Sequence, residues 1–417
     1  YLFFSVTPVE VQIENDSIDL ELRIYEGEQA RINRIIISGN TSTNEHVFRR
    51  ELYTRPGDLF SRNDIIRSQR ELSQLPYVNP EKLDVRPIPD PASGTVDIEY
   101  VLEEKPASQV ELSGGFGAGM IIGTFGLSFN NFSLRNVLKP KAYRPLPSGD
   151  GQRLSLRAQS NGTWYQSYNM SFVEPWLGGK KPNSFSLSAY HTVQSSGAQP
   201  KKTEDEAGNK IKNPDREFMK ITGVAVGYGK RLPWPDDYFS LMFETSYRNY
   251  NLNNFSGGYY YSLPIDDGNS NNLSFKGSLN RNSIDAPIYP RRGSMFNLSV
   301  QATPPYSFFN DKDYATIPNE EKYKWIEYIK PKFTADWYLN FGNSSRFAKN
   351  LVLHPKAEFG ILFPWTKDLI SPFEGFSVGG DGWAMINYGT EIIGLRGYDN
   401  GTLTPDEGGN VYNKFAL

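Results

Sequence analysis

The stretch Gly389–Gly401, GTEIIGLRGYDNG, sets one arginine, Arg396, between Gly394 and Gly397, with Leu395 before it and Tyr398 just after. A guanidinium in such a place is either a solvated loop charge or a buried group that requires a carboxylate partner. A second glycine cluster, GGFGAG at Gly114–Gly119, has the composition of a phosphate loop. Phosphate loops open a helix, whereas MIIGTFGLSF follows here with strand character, so the context for nucleotide binding is missing. His46, His191 and His354 are far apart and offer no convergent metal-ligand set. GGDGW and PDEGG carry acids and glycines without calcium-loop spacing, and no serine sits in a nucleophile elbow. The chain has no cysteine, so thiolate chemistry and disulfides are excluded. The sequence names no catalytic residue, no metal site and no cofactor, and the expectation is a protein that is not an enzyme.

The elements that must position these residues fall into two regions of different period. In the first, VEVQIEN and IDLELRIYEG alternate around Asn15-Asp16 and predict a hairpin, the closing part of a domain over 1–29. A complete α+β unit follows over 30–106. INRIIISGN reads as a strand, and NEHVFRREL places Val47, Phe48 and Leu52 on one helical face. Ser61 caps a second helix with Asp64 three residues on, its stripe is Ile65, Ile66, Leu72 and Leu75, and Pro76 stops it. EKLDVRPI and TVDIEYVLEEKP close the unit, giving the order β-α-α-β-β.

From Gln109 onward the period is two. Phe125, Leu127 and Phe129 oppose Gly126, Ser128 and Asn130; Leu273, Phe275 and Leu279 oppose Ser274, Lys276, Ser278 and Asn280. LVLHPKAEFGILF alternates throughout, with Leu351 to Phe363 on one face and His354, Lys356, Glu358 and Gly360 on the other. Mean hydropathy is -0.52, and no window approaches ~18 apolar residues, which excludes a transmembrane helix but not transmembrane strands. About a dozen strands, long connections on one side (~195–217, ~250–271, ~304–322, ~365–410) and mostly short turns on the other favour an antiparallel transmembrane β-barrel over a soluble sandwich. The connection at ~135–150 is longer than this rule expects. Trp176, Trp234 and Tyr289 fall where an internal aromatic girdle belongs. A net charge of -3, with basic pairs only in turns, gives no argument for nucleic acid. Both ends fall in mid-strand pattern, so the chain reads as a piece of a longer one.

Glycine weakens a strand, so Gly114, Gly115 and Gly117 make the first barrel strand easy to bend or unpair; the alternative is that they make room at a barrel corner. The connection ~365–410 carries Trp383, Met385, Ile386, Tyr388, Ile392, Ile393 and Leu395, which must be buried, and the barrel lumen is the available place. Arg396 is then expected as a buried latch, with Gly394 and Gly397 letting the backbone approach the wall.

These residues resemble the BamA-type family of outer-membrane barrel-assembly proteins, within the wider superfamily of POTRA-plus-barrel translocases. The unit at 30–106 looks like the barrel-proximal POTRA domain and 1–29 like the end of the one before it. Leu395, Arg396, Gly397 and Tyr398 match the family's sixth-extracellular-loop motif, and Pro290 and Gly293 in APIYPRRGSMF its periplasmic turn. Residues 107–417 then correspond to about twelve of the family's sixteen strands. The resemblance implies that the acidic partner of Arg396 lies on strands beyond Leu417, with Asp336 or Glu358 as fallbacks. It also implies a lateral gate at the first strand: Gln109, Val110, Glu111, Leu112, Ser113, Gly114, Gly115, Phe116 and Gly117. The implied function is folding and inserting β-barrel proteins into the outer membrane by strand templating, with the POTRA domains in the periplasm. The implied partners are unfolded outer-membrane β-barrel proteins, accessory lipoproteins and outer-membrane lipid, with no nucleic acid. The alternatives are a secretion pore of the same superfamily exporting a soluble partner, and a passive porin.

Overall fold

The computed structural model describes the chain apart from residues 1–4, 15–16, 118–119, 205–209, 214–215, 256, 259–260, 287–288, 311, 343–350, 381–389 and 406–407. It divides into two compact units, Tyr1–Gln109 with Ser128–Arg153, and Val110–Leu127 with Leu154–Leu417.

In the first unit β1 (Ser5–Glu14) and β2 (Ser17–Tyr25) form an antiparallel hairpin. Then come β3 (Arg31–Ser38), α1 (Glu45–Arg49), α2 (Arg62–Gln74), β4 (Asp84–Asp90) and β5 (Thr95–Val101). β5 lies centrally, parallel to β3 and antiparallel to β4. The helices bury Val47, Phe48 and Leu72 against Val96, Ile98 and Tyr100. Leu52, just beyond α1, is buried with them. Ser61 caps α2 by accepting the Asp64 N–H at 3.3 Å. The expected stripe is corrected at one place: Ile66 is exposed, and Ser68 is buried instead. Ile65, Ser68 and Leu72 share one helical face from which Ile66 is rotated away. The Ser68 hydroxyl is satisfied by donating to the Asp64 carbonyl and accepting from the Tyr53 N–H.

The second unit is built on a 13-stranded sheet. Its early strands are β6 (Ser108–Gly117), β7 (Met120–Phe132), β8 (Gln152–Asn161), β9 (Tyr165–Glu174) and β10 (Asn183–Ser195). A small ladder, β11 (Lys201–Glu204) with β12 (Lys210–Lys212), precedes β13 (Phe218–Leu232) and β14 (Phe239–Asn253). Another, β15 (Gly257–Gly258) with β16 (Tyr261–Ser262), precedes β17 (Gly268–Asn282), β18 (Gly293–Ala302) and β19 (Ile329–Asn340). Last come β20 (Val352–Leu353), β21 (Lys356–Ile361), the loop strands β22 (Phe376–Val378) and β23 (Glu391–Ile393), and β24 (Val411–Ala416). The path runs β6-β7-β8-β9-β10-β13-β14-β17-β18-β19-β21-β24, so strands pair in chain order and β6 ends the ladder among the described residues.

Burial decides between sandwich and membrane wall. On β17 the buried face is polar, with Ser270, Asn272, Ser274 and Ser278, while Phe275 is 50% exposed. On β13 Val224, Val226 and Tyr228 stand exposed. A water-soluble sheet buries its apolar face; this one turns it outward, as strands in lipid do. Trp234 and Tyr289 are exposed at the internal strand ends, as an interfacial girdle requires.

Two details depart from simple alternation. The expected strand from Leu351 to Phe363 is interrupted between β20 and β21. Pro355 lies in the gap; its carbonyl accepts the Trp337 N–H, but it has no N–H to return. The long connection between β7 and β8 belongs to the first unit. There Asp150 accepts from Ser133 Oγ at 2.6 Å and Asn44 Nδ2 at 3.0 Å, and Arg144 donates to Ser42 Oγ at 2.7 Å. Its length serves packing against the β3–α1 turn, which explains its departure from the short-turn rule.

Candidate functional site

β6 carries the residues expected at the gate. Gln109, Val110, Glu111, Leu112, Ser113 and Gly114 are all exposed, and Gly115 is half-buried. Phe116 and Gly117 close the strand, while Gly119 lies outside the described residues. A Cβ added to Gly114 would meet nothing within 4 Å. Among the described residues Gly114 makes room for no neighbour, whereas glycine in a strand weakens it. On the inner face Glu111 lies over Gly126 of β7 and pairs with Arg157 of β8 at 3.2 Å. Both charges are about half exposed, so this tie across β7 contributes little.

The connection between β21 and β24 packs against the inner face of the wall. Phe373 stacks on Tyr250, ring centroids 4.2 Å apart, and Phe376 meets Tyr412 edge-on. Leu369 and Ile393 join the same cluster with Tyr328. Within the loop, β22 and β23 pair in parallel. Polar anchors surround this apolar contact. The Glu374 carboxylate, 4% exposed, accepts from Asn272 Nδ2 at 2.6 Å and from Arg248 Nη1 at 3.3 Å. Lys330 donates to the Glu374 carbonyl at 2.8 Å, and Glu391 is paired by Lys330 and Lys332. Lys414 of β24 donates to the Gly394 carbonyl at 2.7 Å.

The expected latch finds no partner among the described residues of 1–417. Arg396 is exposed with Tyr398, and among the described residues it forms no ion pair. Asp336 is engaged by His354 at 2.8 Å and Glu358 by Lys356 at 2.9 Å, so neither fallback acid serves Arg396. The loop supplies the acids, Glu374 and Glu391, and the wall supplies the cations. Leu395 donates its N–H to the Gly380 carbonyl, folding the motif onto Gly379 and Gly380, where a Cβ on Gly380 would collide with Asn400. Gly394 does approach the wall, through Lys414, whereas a Cβ added to Gly397 would meet none of the described residues within 4 Å. Trp383, Met385, Ile386 and Tyr388 lie outside the described residues. Ile392 and Leu395 are half-buried.

The turn between β17 and β18 is held by Asp285, which accepts the N–H groups of Arg291 and Arg292 at 2.9 and 3.2 Å. Burial pushes the Asp285 carboxyl up, but these backbone bonds outweigh it and hold it below the usual carboxylate range. Gly293 closes the turn at φ +108°, where a Cβ would collide with the Ser283 carbonyl. Pro290 precedes it, half-buried.

Residues 148–415, most of the wall and its loops, match the family model of the Omp85 superfamily domain. The chain belongs to the Omp85 superfamily. Residues 30–105 match the POTRA model, described as a surface antigen variable number repeat. Over 433 residues the sequence is 23% identical to the outer membrane protein assembly factor BamA of Neisseria meningitidis serogroup B, covering 100% of this chain and 45% of that protein. BamA from Haemophilus ducreyi lacking POTRA domains 1-3 superposes with a TM-score of 0.56 at 18% identity, covering 98% and 71% of the two chains. CdiB from Escherichia coli superposes with a TM-score of 0.51 at 12% identity, covering 94% and 62%. At such identities the two structures show the fold alone. The chain spans less than half the length of the curated relatives it matches. This Omp85 chain thus joins a periplasmic POTRA unit to an outer-membrane β-barrel wall of the BamA type.

Glu374, Glu391, Arg248, Asn272 and Lys330 are functional candidates that the sequence did not single out. Alternation places Arg248 and Lys330 on the inner face, and an acid inside the apolar SPFEGF is the one local hint of their partner.

Proposed function

We propose that this chain is the POTRA-and-wall part of a machine that folds and inserts β-barrel proteins into the outer membrane. The observation that carries the reading is the open space around Gly114 on β6. A strand that forgoes a side chain with no packing reason among the described residues is held loosely, and a loosely held strand can exchange its partner. An incoming strand that pairs with β6 satisfies its own backbone N–H and C=O groups within lipid, which is the main obstacle to insertion. The anchored loop against the inner wall disfavours a passive open pore. In this reading the partners are unfolded outer-membrane β-barrel proteins, accessory lipoproteins that meet the POTRA unit, and outer-membrane lipid. The cycle needs no bond-breaking chemistry and no cofactor.

The test uses full-length protein in liposomes, with a urea-unfolded outer-membrane barrel added and its folding followed by gel mobility. Wild type should accelerate folding over empty liposomes, and Gly114→Val, which orders β6 without a clash, should reduce that acceleration severalfold. No acceleration by wild type, together with steady large conductance, would point to an exporting pore and sink the assembly reading.

A further inference from the structure

Tyr190 of β10 packs toward the inner cluster, so its neighbours Ala189 and His191 point outward, toward lipid. The outward row Phe185, Leu187, Ala189, His191 and Val193 is apolar except at His191. His191 stands opposite Tyr168 of β9 and Thr222 of β13, and His191 Nδ1 lies 2.8 Å from Thr222 Oγ1. One step nearer the periplasm, Ala189 stands opposite Met170 and Val224. Small Ala158 and Ala189 between larger Phe125, Leu156 and Met170 hollow the wall into an open groove of about 570 Å³.

We propose that this groove binds an ester-linked lipid of the outer leaflet. Its acyl chain lies over Ala158 and Ala189, and its ester carbonyl accepts hydrogen bonds from Tyr168 and His191. Lipid is the solvent of this face, and polar groups there are costly unless paired. Among the described residues the Tyr168 hydroxyl has no partner. When Thr222 donates to Nδ1 of His191, the imidazole carries its proton on Nε2, a second donor. An ester carbonyl only accepts, so it complements two donors. The polar row lies toward the external ends of β9, β10 and β13, the depth at which outer-leaflet ester groups meet the hydrocarbon. From there the groove continues inward past Met170 and Val224, in the direction an acyl chain must take.

The test reconstitutes full-length protein in vesicles of ester-linked phosphatidylethanolamine or of its diether analogue with the same chains. The protein is then taken into mild detergent and weighed by native mass spectrometry. Wild type should retain the ester lipid as an adduct. Ala189→Trp, which fills the groove from the lipid side, should cut retention about tenfold. The pair Tyr168→Phe and His191→Leu should cut ester-lipid retention about fivefold and leave diether retention unchanged. Equal retention by wild type and Ala189→Trp would mean unspecific boundary lipid and overturn the site. Equal wild-type retention of the ester and diether lipids would overturn the role of the polar row. A dimer mass in place of the lipid adduct would assign the groove to a second copy of the chain and overturn the proposal.

Discussion

Asn272 of the wall donates to Glu374 of the loop at 2.6 Å, although 102 residues separate them in the chain. Asn272 is fully buried and Glu374 nearly so, so neither finds water in place of the other. Arg248 brings the compensating charge, and its remaining exposure moderates the cost of desolvating the pair. The loop cannot leave the inner wall without separating these three groups and unstacking Phe373 from Tyr250. Glu374 is thus the electrostatic fastening of a loop whose apolar residues supply the bulk of its contact.

Replacing Glu374 by Ala takes the carboxylate from Arg248 and leaves Asn272 Nδ2 only its longer bond to the Tyr328 hydroxyl, at 3.4 Å. The expected cost is about 3 kcal/mol, the low end for breaking a buried pair because Arg248 keeps some solvent contact. Glu374→Gln retains an acceptor for Asn272 and should lose about half as much. Urea unfolding of the reconstituted protein measures both, and single-channel recording should show more frequent large openings in the alanine variant. Unchanged stability and conductance in Glu374→Ala would remove the fastening role.

The two backbone periods were legible because each is local. Ser61 with Asp64, and the seven-residue spacing of Ile65 and Leu72, two helical turns, state a helix within a dozen residues; Phe275 among serines and asparagines states a strand. The burial of the polar face confirms which side meets lipid. Pro355 was visible as a residue without an N–H, yet alternation on both sides of it concealed the break. The Glu374 anchor was not legible, because its partners come from β14, β17 and β19, and register across strands is a property of the assembled sheet. Arg396 shows the converse. Its glycine neighbours describe a turn, and a turn does not say whether its side chain is covered.

Gly293→Ala should destabilise the wall by about 1–3 kcal/mol, since the backbone lies at φ +108° and the new methyl meets the Ser283 carbonyl. Pro290→Ala, three residues earlier, removes only a backbone restraint and should cost less than about 1 kcal/mol. Urea midpoints of the two variants give the comparison. A Gly293→Ala midpoint equal to wild type would show that the turn tolerates another path.

Asp285 makes the same turn sensitive to acid. Its folded-state carboxyl titrates below the ordinary value, so its contribution is complete above about pH 4 and is lost as pH falls through the folded value. Asp285→Asn should cost less than about 1 kcal/mol at neutral pH, because the group is partly solvated. The gap to wild type should narrow as the buffer is taken down from about pH 4. A gap that stays constant across that range would mean the charge of Asp285 contributes nothing beyond its shape.

Arg396→Ala separates the two latches. An exposed arginine without an ion pair among the described residues should contribute within about 0.5 kcal/mol to stability, well below the loss expected for Glu374→Ala. Both variants belong in one urea series on full-length protein, with barrel folding in liposomes measured alongside. Unchanged stability with slowed folding of added barrels would place Arg396 in an encounter with substrate or with a rearranged loop, not in the resting fastening. A stability loss above about 2 kcal/mol would require a buried acidic partner for Arg396. The exposed placement would then be overturned, and the fastening would be shared between the arginine of the motif and the glutamate that precedes it in the same loop.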